Sequence, residues 1–519
     1  MPVLNWLGKD KVINHHQAVP YRVLEPQYAY GEPDTGNVII HGDNLDALKS
    51  LLPQYEGRVK CIYIDPPYNT GNEGWVYNDN VNDPKIRKWL GDVVGKEGED
   101  LSRHDKWLCM MYPRLRLLSR LLADDGAIFI SIDDNEQASL RFVCDEIFGA
   151  RNFVSQFVWE RAYSPKNDAK FVSASHDYVV MYVKNKDCFT IGRLPRTEEA
   201  NARYSNPDND PRGVWKPSDM SVKTYNAECD YPITAPSGRV IEPPTSRCWR
   251  LSKNAFFERL ADNRIYFGSD GNSVPQIKRF LSELKFDGMA VQSIFFYKDV
   301  GHSQEGAKEV KEMLDNGSFN GPKPARLLQR ILTIANVQVG DIVLDSFAGS
   351  GTTAHAVLNM NKRDGGNRRF ILIEMEGYAE SITAERVRRV IDGYGDTPGT
   401  GGGFAFCELG DRLLLEDGNL NENLDAEKIR EYIWYTETKT AYSPGGIPYY
   451  LGEAFHTAYW FYYERFDTTT LDVDFLRRLK KAERYVIYAD MCALAAADLE
   501  RWGIKFKKIP RDIRKLLGD

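Results

Sequence analysis

Short apolar runs alternate with segments of helical periodicity over the first 150 residues of the chain. The runs at 37–40, 59–64 and 127–132 are bounded by turn residues, and amphipathic segments lie between them. Buried strands separated by such segments are typical of a parallel sheet with crossover helices. The pattern therefore predicts an α/β fold for this part of the chain.

The alternation stops after about Gly149 and resumes beyond residue 320. Residues 151–320 are rich in proline, asparagine, serine and isolated aromatic residues, which predicts an inserted, irregular domain. The pattern then predicts, in order, a helix at 323–335, a strand at 342–345, a helix at 352–360, a strand at 370–374 and a last helix at 379–391. One sheet interrupted by the middle region is expected.

The glycine-rich run TPGTGGG at 397–403 predicts a flexible boundary, because glycine adopts positive φ freely and has no side chain to pack. A C-terminal domain at 404–519 follows it and contains the aromatic segment YIWYTETKTAYSPGGIPYYLGEAFHTAYWFYYERF. Large rings supply most of the apolar content of cores and of subunit interfaces. We therefore expect a core or a subunit interface here, rather than a surface for stacking nucleic-acid bases.

Composition narrows the class of protein. The chain has 519 residues, of which 42% are hydrophobic, so it can bury a sizeable core in several domains. No apolar run approaches the roughly 18 residues of a membrane span, and the start MPVLNWLGKD lacks the layout of a secretory signal. The expected location is the cytoplasm. The eight cysteines have no spacing typical of zinc ligands, and no metal is expected.

The net charge of −7 is unevenly distributed along the chain. Residues 151–280 hold 20 lysines and arginines against 15 aspartates and glutamates, a net of +5. A global attraction to nucleic acid is thus not expected, but the middle stretch is the best candidate for a surface that faces a polyanion. An ordinary solvated surface explains the same balance, and both interpretations stay open at this point.

The segment IVLDSFAGSGTTAHAV places a glycine-rich turn between a strand and a helix. Gly349 and Gly351 let the backbone approach a ligand, Asp345 ends the strand, and Glu374 closes the next strand where it can accept hydrogen bonds from ribose hydroxyls. This pattern is typical of an adenosine-containing cofactor. It fits a nicotinamide or flavin dinucleotide as well as S-adenosylmethionine, and a merely structural turn is a third alternative.

A second motif, Asp65-Pro66-Pro67-Tyr68, follows the apolar run CIYI and so lies at the carboxyl edge of the predicted sheet. The two prolines stiffen the loop and fix a carboxylate, a free carbonyl and a ring close together. A flipped-out adenine needs this combination. Asp65 and the Pro66 carbonyl accept hydrogen bonds from the exocyclic amine, whose lone pair then points at a sulfonium methyl, and Tyr68 stacks on the base. An isolated DPPY is also explained by a rigid turn, but the glycine-rich turn in the same sheet favours catalysis.

Several motifs together resemble one family, namely HGDNLDAL, DPPYNTG, GPKPARLLQRIL, FAGSGTT, ILIEME and the stretch KWLCMMYPRLRLLSRLLADDGAIFISIDDNEQASLRFVCDEIFG. They resemble the modification subunit of type III restriction-modification systems over residues 30–400. DPPY precedes FAGSG with a long insert between, which is similar to the permuted β class of amino-methyltransferases. The resemblance implies a Rossmann-like α/β methyltransferase sheet with circularly permuted motif order and adenine N6 methylation from S-adenosylmethionine.

The resemblance also implies roles for individual residues around that cofactor. Phe347, Gly349 and Gly351 would wrap the cofactor, with Asp345 near its amino acid end and Glu374 at the ribose. The resemblance further places Asp43 at the cofactor adenine, and Lys323 with Arg326 beside the methionine carboxylate. For the last two, a solvated helix start is the alternative.

The implied domain order has a catalytic half at 1–150, a target recognition domain at 151–320, a cofactor-binding half at 321–400 and a C-terminal domain at 404–519. The expected substrate is double-stranded DNA. Family members act as dimers with a separate helicase-nuclease subunit, and this sequence has no Walker A lysine loop of its own.

Four alternatives to adenine N6 methylation arise from the sequence. Cytosine C5 methylation requires a cysteine nucleophile, typically next to a proline, and no Pro-Cys pair occurs. Cytosine N4 methylation uses the same acceptor geometry and is the close rival. A catalytically silent DNA-binding specificity module is the alternative from another class. An NAD-dependent oxidoreductase would leave DPPY unexplained.

Overall fold

The structure is a computed structural model, and it describes residues 4–70, 103–165, 167, 169–314, 319 and 321–511. The chain divides into two compact units, Met1–Gly192 with Gln292–Asp519 and Arg193–Val291. The strands are β1 Arg22–Gly31, β2 Val38–His41, β3 Val59–Ile64, β4 Leu122–Ile132, β5 Phe153–Glu160, β6 His176–Val183, β7 Trp215–Asp219, β8 Ser221–Val222, β9 Ile233–Thr234, β10 Val240–Ile241, β11 Cys248–Trp249, β12 Ile265–Tyr266, β13 Gln276–Phe280, β14 Ile294–Phe295, β15 Ile342–Asp345, β16 Arg369–Glu374, β17 Gly393–Tyr394, β18 Thr397–Pro398, β19 Gly403–Arg412, β20 Tyr450–Ala454, β21 Thr457–Phe461, β22 Thr470–Leu471, β23 Arg484–Ala489, β24 Met491–Cys492 and β25 Ile504–Lys508.

The α-helices of the described chain are Lys9–Val12, His15–Ala18, Asn44–Tyr55, Arg103–Leu121, Gln137–Cys144, Glu198–Ala202, Lys253–Ala261, Tyr297–Val300, Ser303–Met313, Ala325–Ile334, Thr352–Asp364, Glu385–Asp392, Ala426–Thr438, Val473–Leu476 and Ala496–Arg501. Two π-helical turns extend this set, Asp145–Gly149 and Ala379–Ala384, beside three 3₁₀ turns, Ala150–Asn152, Ala227–Cys229 and Leu281–Glu283. No helix of the described chain is both long and apolar enough to cross a membrane.

The main sheet has the strand order β1-β19-β2-β16-β15-β3-β4-β6-β5-β14. Neighbouring strands from β19 to β4 are parallel, whereas β1 pairs antiparallel with β19 and β6 pairs antiparallel with β4 and β5. The predicted α/β sheet is confirmed. All six residues of β3 are buried, as expected for a parallel strand that is covered on both faces.

The strand order of this sheet brings the two sequence motifs together. β3 precedes DPPY, β15 precedes the glycine-rich turn, and the two strands are adjacent and parallel, with Val343 opposite Cys61. Parallel neighbours end at the same edge of a sheet, where ligands bind in α/β folds. Almost 280 residues separate these strands in sequence, so the sheet supplies the proximity that the chain order does not.

The insert is shorter than the sequence pattern predicts. The irregular region was expected at 151–320, but β5, β6 and β14 belong to the main sheet, and the separate compact unit is Arg193–Val291. β6 places the apolar run HDYVVMYV antiparallel to β4, where Val180 lies opposite Ile130. The sheet thus continues beyond its parallel part through antiparallel strands that the alternation rule does not detect.

The unit Arg193–Val291 has a small core of its own. β7, β13 and β12 form an antiparallel sheet, and Trp249 and Phe256 are buried in the apolar cluster. The buried ammonium of Lys278 lies 3.0 Å from an Asp210 carboxylate oxygen and also pairs with Asp208. Such pairing compensates a charge that would otherwise be costly to bury.

The C-terminal region begins differently from the expectation. β19, which starts at Gly403, lies inside the main sheet between β1 and β2, and Gly399 packs so closely that an added Cβ would lie 2.2 Å from the Ile391 carbonyl. The run at 397–403 is therefore closely packed chain. Beyond it, β20, β21, β23 and β25 form a second sheet, and Trp460 and Phe461 of the aromatic segment are buried in its two apolar clusters.

Candidate active site at the carboxyl edge of the sheet

A cavity of about 330 Å³ lies where β3 and β15 end. Asp65, Pro66 and Tyr68 line it from the β3 side, and Phe347 and Gly349 line it from the β15 side. The cavity is therefore lined both by DPPY, called the acceptor motif below, and by the glycine-rich turn.

The loop of the DPPY motif, residues 65–69, is called the catalytic loop after its predicted role, and a buried network holds it from behind. The Trp107 indole donates to the Pro67 carbonyl over 2.7 Å. Asn69 has a φ of 60° and donates through its amide to Glu136 at 2.5 Å and to the Arg103 carbonyl at 3.1 Å. These contacts leave the Asp65 and Tyr68 side chains directed at the cavity. Burial raises the pKa of Tyr68 well above its usual range, so this residue stays a neutral ring.

Lys323 contacts the catalytic loop directly. Its ammonium lies 2.5 Å from Asp65 Oδ2 and 5.2 Å from the centroid of the Tyr68 ring. The resemblance predicts this lysine beside a cofactor carboxylate, and in the structure its partner is the carboxylate of the acceptor motif. An ammonium at this distance forms a charge-assisted hydrogen bond with the Asp65 carboxylate and fixes its position at the cavity.

The glycine-rich turn is fastened to its own surroundings. Gly349 has a φ of 52°, its amide donates to Glu374 over 2.8 Å, and its carbonyl accepts from the Thr383 hydroxyl at 2.6 Å. Gly351 begins the helix Thr352–Asp364 with a φ of 81°, and an added Cβ would lie 3.1 Å from the Thr383 carbonyl. Gly351 is not among the described residues that line the cavity. Its glycine requirement comes from the left-handed backbone and from this neighbouring carbonyl.

Two buried carboxylates stand behind the turn. Asp345 lines the cavity and accepts from the Phe347 amide at 3.0 Å and from the Thr353 hydroxyl at 2.5 Å. Glu374 accepts from the Gly349 and Glu376 amides. Burial raises the pKa of both Asp345 and Glu374 to about 7, against the hydrogen bonds that favour the ionised forms.

Asp43 and Arg326 lie outside the residues that line the cavity in the described chain. Asp43 caps the helix Asn44–Tyr55 and accepts from the Leu45 amide at 2.8 Å. Arg326 forms two 2.7 Å hydrogen bonds with the carboxylate of Glu305. Both side chains are thus occupied in fixing local structure, although Asn44 donates to the Ser346 carbonyl at 3.3 Å and places the Asp43 cap beside the glycine-rich turn.

Three further strands contribute residues that sequence reasoning missed. Asp133 follows β4, Trp159 and Arg161 come from the end of β5, and Asp177 belongs to β6; all four line the cavity. Asp177 is buried 2.8 Å from Arg161, and burial raises its pKa to about 6. Only Asp133, in SIDD directly after an apolar run, carried a sequence signal, because β5 and β6 reach the edge through antiparallel pairing.

Comparison with known proteins gives concordant matches. A family model described as DNA methylase matches residues 59–385. The Mod subunit of the type III restriction-modification enzyme StyLTI from Salmonella typhimurium is 35% identical over 75% of this chain and 62% of that protein. The EcoPI Mod subunit of Escherichia phage P1 is 32% identical over 72% of this chain and 63% of its own. The type II methyltransferase M.KpnI of Klebsiella pneumoniae is 31% identical over 66% of this chain and 81% of that protein.

These matches confirm the predicted resemblance to type III modification subunits. The chain spans less than two thirds of the length of the two Mod subunits. The family model covers both the acceptor motif and the glycine-rich turn, together with the insert between them.

Proposed function

Because the chain belongs to the DNA methylase family, we propose that it transfers a methyl group from S-adenosylmethionine to the exocyclic amine of adenine in double-stranded DNA. One observation carries the proposal. The carboxylate, carbonyl and ring of the catalytic loop open into the same cavity as the glycine-rich turn of the adjacent strand. An amine acceptor and a cofactor site must meet in this way for direct methyl transfer.

The residues of the catalytic loop perform the positioning. Asp65 and the Pro66 carbonyl accept hydrogen bonds from the two N–H groups of the target amine, and Tyr68 stacks on the extruded base. As the N–CH₃ bond formed and the bond from that methyl to the sulfonium sulfur broke to leave a neutral thioether, positive charge would develop on the amine nitrogen. The Asp65 carboxylate would stabilise this charge until one proton left to solvent. Lys323, 2.5 Å from Asp65, orients that carboxylate.

The cavity residues fit S-adenosylmethionine, which supplies an electrophilic methyl group on a sulfonium. Among the lining residues, carboxylates outnumber cations, with Asp65, Asp133, Asp177 and Asp345 against Arg161 and Lys323, and this balance favours a cationic ligand. The Ser346 hydroxyl is buried without a hydrogen-bond partner in the described chain. A buried orphan donor beside the turn supports a polar ligand there.

The individual cofactor roles are part of the proposal. Phe347 and Gly349 line the cavity and hold the cofactor against the turn, and Asp345 accepts from its polar groups through its remaining lone pairs. Glu374, which is not among the described residues that line the cavity, holds the Gly349 amide and accepts from the ribose, as the resemblance implies. Asp43 stands at the adenine end, beside the turn. Arg326 is engaged with Glu305, so of the two basic residues only Lys323 is positioned to reach the cavity. Gly351 supports the turn from behind.

The assembly is proposed from the relatives and from charge. The relatives are named as Mod subunits of type III restriction-modification enzymes, which supports a modification role beside a separate helicase-nuclease subunit. We assign target recognition to the unit Arg193–Val291, most of which lies within the net-positive stretch 151–280 of the sequence. The protein is expected to act as a homodimer in the cytoplasm.

The test is single-molecule sequencing of DNA from cells that express this chain, with Asp65→Ala as the inactive control. Methylated adenine confined to one short motif, and absent with Asp65→Ala, is the expected result. Methylated cytosine would assign the activity to N4 of cytosine. An unmodified genome, also after co-expression of a helicase-nuclease partner, would leave a DNA-binding specificity module as the function.

A further inference from the structure

The loop between β5 and β6 rises directly from the rim of the cavity. The amides of Arg161 and Ala162 both donate to the Ser175 carbonyl, at 3.0 and 3.2 Å, and close the base of the loop. Residues on either side of this closure, Trp159 and Asp177, line the cavity. The start and the end of the loop therefore form part of the wall of the cavity that a flipped adenine would enter.

The first limb of this loop is anchored to the rim. The Tyr163 ring stacks on Tyr297 with centroids 5.3 Å apart and lies 5.7 Å from His302. The Ser303 amide donates to the Arg161 carbonyl at 3.1 Å, and Ser303 itself lines the cavity. These contacts fix the start of the loop at the cavity rim.

The second limb presents apolar side chains to solvent. Phe171 is 88% exposed and Val172 is 86% exposed, which exceeds every other large apolar residue of the described chain. The Lys170 ammonium lies 5.3 Å from the Phe171 ring. Two adjacent apolar side chains held out in water beside a cation are typical of a contact surface for a partner, and the cation favours a polyanionic partner.

We propose that Phe171, supported by Val172, inserts into the DNA duplex and fills the space that the target adenine leaves when it enters the cavity. This inference rests on the proposed function. Phe171 lies four residues from Ser175, so it reaches at most about 14 Å from the loop base, a distance comparable to the radius of a duplex. Apolar wedges of this kind offset the unstacking that base extrusion requires, and Lys170 is placed to contact a neighbouring phosphate.

The experiment measures methyl transfer on duplexes that carry the motif returned by sequencing. In the first duplex the target adenine is paired normally, and in the second it faces an abasic site, where no base pair has to be broken. Phe171→Ala is expected to lower kcat/KM about tenfold on the paired duplex and to recover to within about threefold of wild type on the abasic duplex. Phe171→Trp should retain activity on both.

Phe466→Ala is the matched control. Phe466 is 85% exposed, and the Arg465 guanidinium lies 5.3 Å from its ring, so it reproduces the exposure and the neighbouring cation in the C-terminal region. This variant should stay within about twofold of wild type on both duplexes.

Two results would overturn the wedge. One is a Phe171→Ala enzyme as active as wild type on the paired duplex, and the other is an equal loss on both duplexes, which would indicate an ordinary DNA contact. Fluorescence of 2-aminopurine at the target position adds a readout independent of turnover, because the variant should extrude the base less. A wild-type chain that methylates neither duplex would refute the proposed function instead.

Discussion

The two loops at the carboxyl edge of β3 and β15 use their polar groups in opposite ways. The catalytic loop is held from behind by Trp107 and Glu136, and it directs Asp65 and Tyr68 into the cavity. The glycine-rich turn directs most of its polar groups at itself, with Asp345 on the Phe347 amide and Glu374 on the Gly349 amide. The catalytic loop exposes its polar side chains to the cavity, whereas the glycine-rich turn uses most of its polar groups to fix its own conformation. Substitutions should therefore affect turnover in the first and stability in the second.

The largest effect is expected for Asp65→Ala. Loss of the acceptor should lower kcat by about 10²- to 10³-fold, because the developing charge on the amine is no longer stabilised. Binding of S-adenosylhomocysteine, measured by calorimetry, should be unchanged within about twofold. Asp125→Ala is the control, because Asp125 forms a similar 2.6 Å pair with Lys60 away from the cavity. Equal losses in both variants would mean that the effect of Asp65→Ala comes from structure.

Gly351→Val tests the opposite character of the glycine-rich turn. A β-branched residue at a φ of 81° with a carbonyl 3.1 Å from its Cβ should lower the free energy of unfolding by about 3 kcal/mol. Gly365→Val, at the other end of the same helix, has a φ of 69° and no atom near its Cβ, and should cost about 1–2 kcal/mol. Urea denaturation compares the two. Unchanged stability with weakened cofactor binding would restore the role that the sequence suggested.

Lys323→Met addresses the contact between the halves of the site. Removal of the ammonium leaves Asp65 without its 2.5 Å partner, and we expect kcat/KM to fall about tenfold or more. Arg326→Met, which breaks a partly exposed pair with Glu305, should change it less than about twofold. If Lys323 acts through Asp65, the affinity for S-adenosylhomocysteine stays near wild type. A large loss of that affinity would place Lys323 at the cofactor carboxylate, as the resemblance implies.

A pH-dependent effect on stability is expected from Asp345→Asn. The pKa of Asp345 is raised to about 7, so the folded protein holds this proton more tightly than the unfolded chain does. Wild-type stability should accordingly decline as pH rises from about 4 to 7, by up to about 1.4 kcal/mol per unit relative to Asp345→Asn. The asparagine Oδ1 can still accept from the Phe347 amide, and its NH₂ can donate to the Thr353 hydroxyl, which reverses the direction of that hydrogen bond. Parallel stability curves for the two proteins would contradict the raised pKa.

The parallel part of the fold is predictable because its strands are short apolar runs next to helices. β3 and β15 are recognisable as CIYI and IVLD before characteristic turns. β1 and β19 are not recognisable in this way, since neither is a continuous buried run and β1 contains Pro26. Partly exposed strands of this kind have no continuous apolar segment for the sequence pattern to detect.

The residues of the site likewise fall into those that the sequence predicts and those that only the fold brings together. DPPY and the glycine-rich turn are read from sequence because each is a continuous motif with its own loop chemistry. Trp159 and Asp177 are brought to the cavity only by antiparallel strands, and the contact of Lys323 with Asp65 joins residues 258 positions apart. Asp43 and Arg326 each match a family motif but lie outside the residues that line the cavity in the described chain. Asp43 caps its own helix, and Arg326 pairs with Glu305.

The position of β19 determines the order in which the protein can assemble during synthesis. β1, residues 22–31, finds its partner only in residues 403–412, and β19 also separates β1 from β2. When the catalytic loop and the glycine-rich turn have been synthesised, β1 still lacks β19, the strand with which it pairs. At about 5–20 residues per second, roughly 20 to 80 seconds pass between the two strands. The nascent chain therefore has an unpaired strand during most of its elongation, and a chaperone that covers strand edges should raise the yield of the folded enzyme.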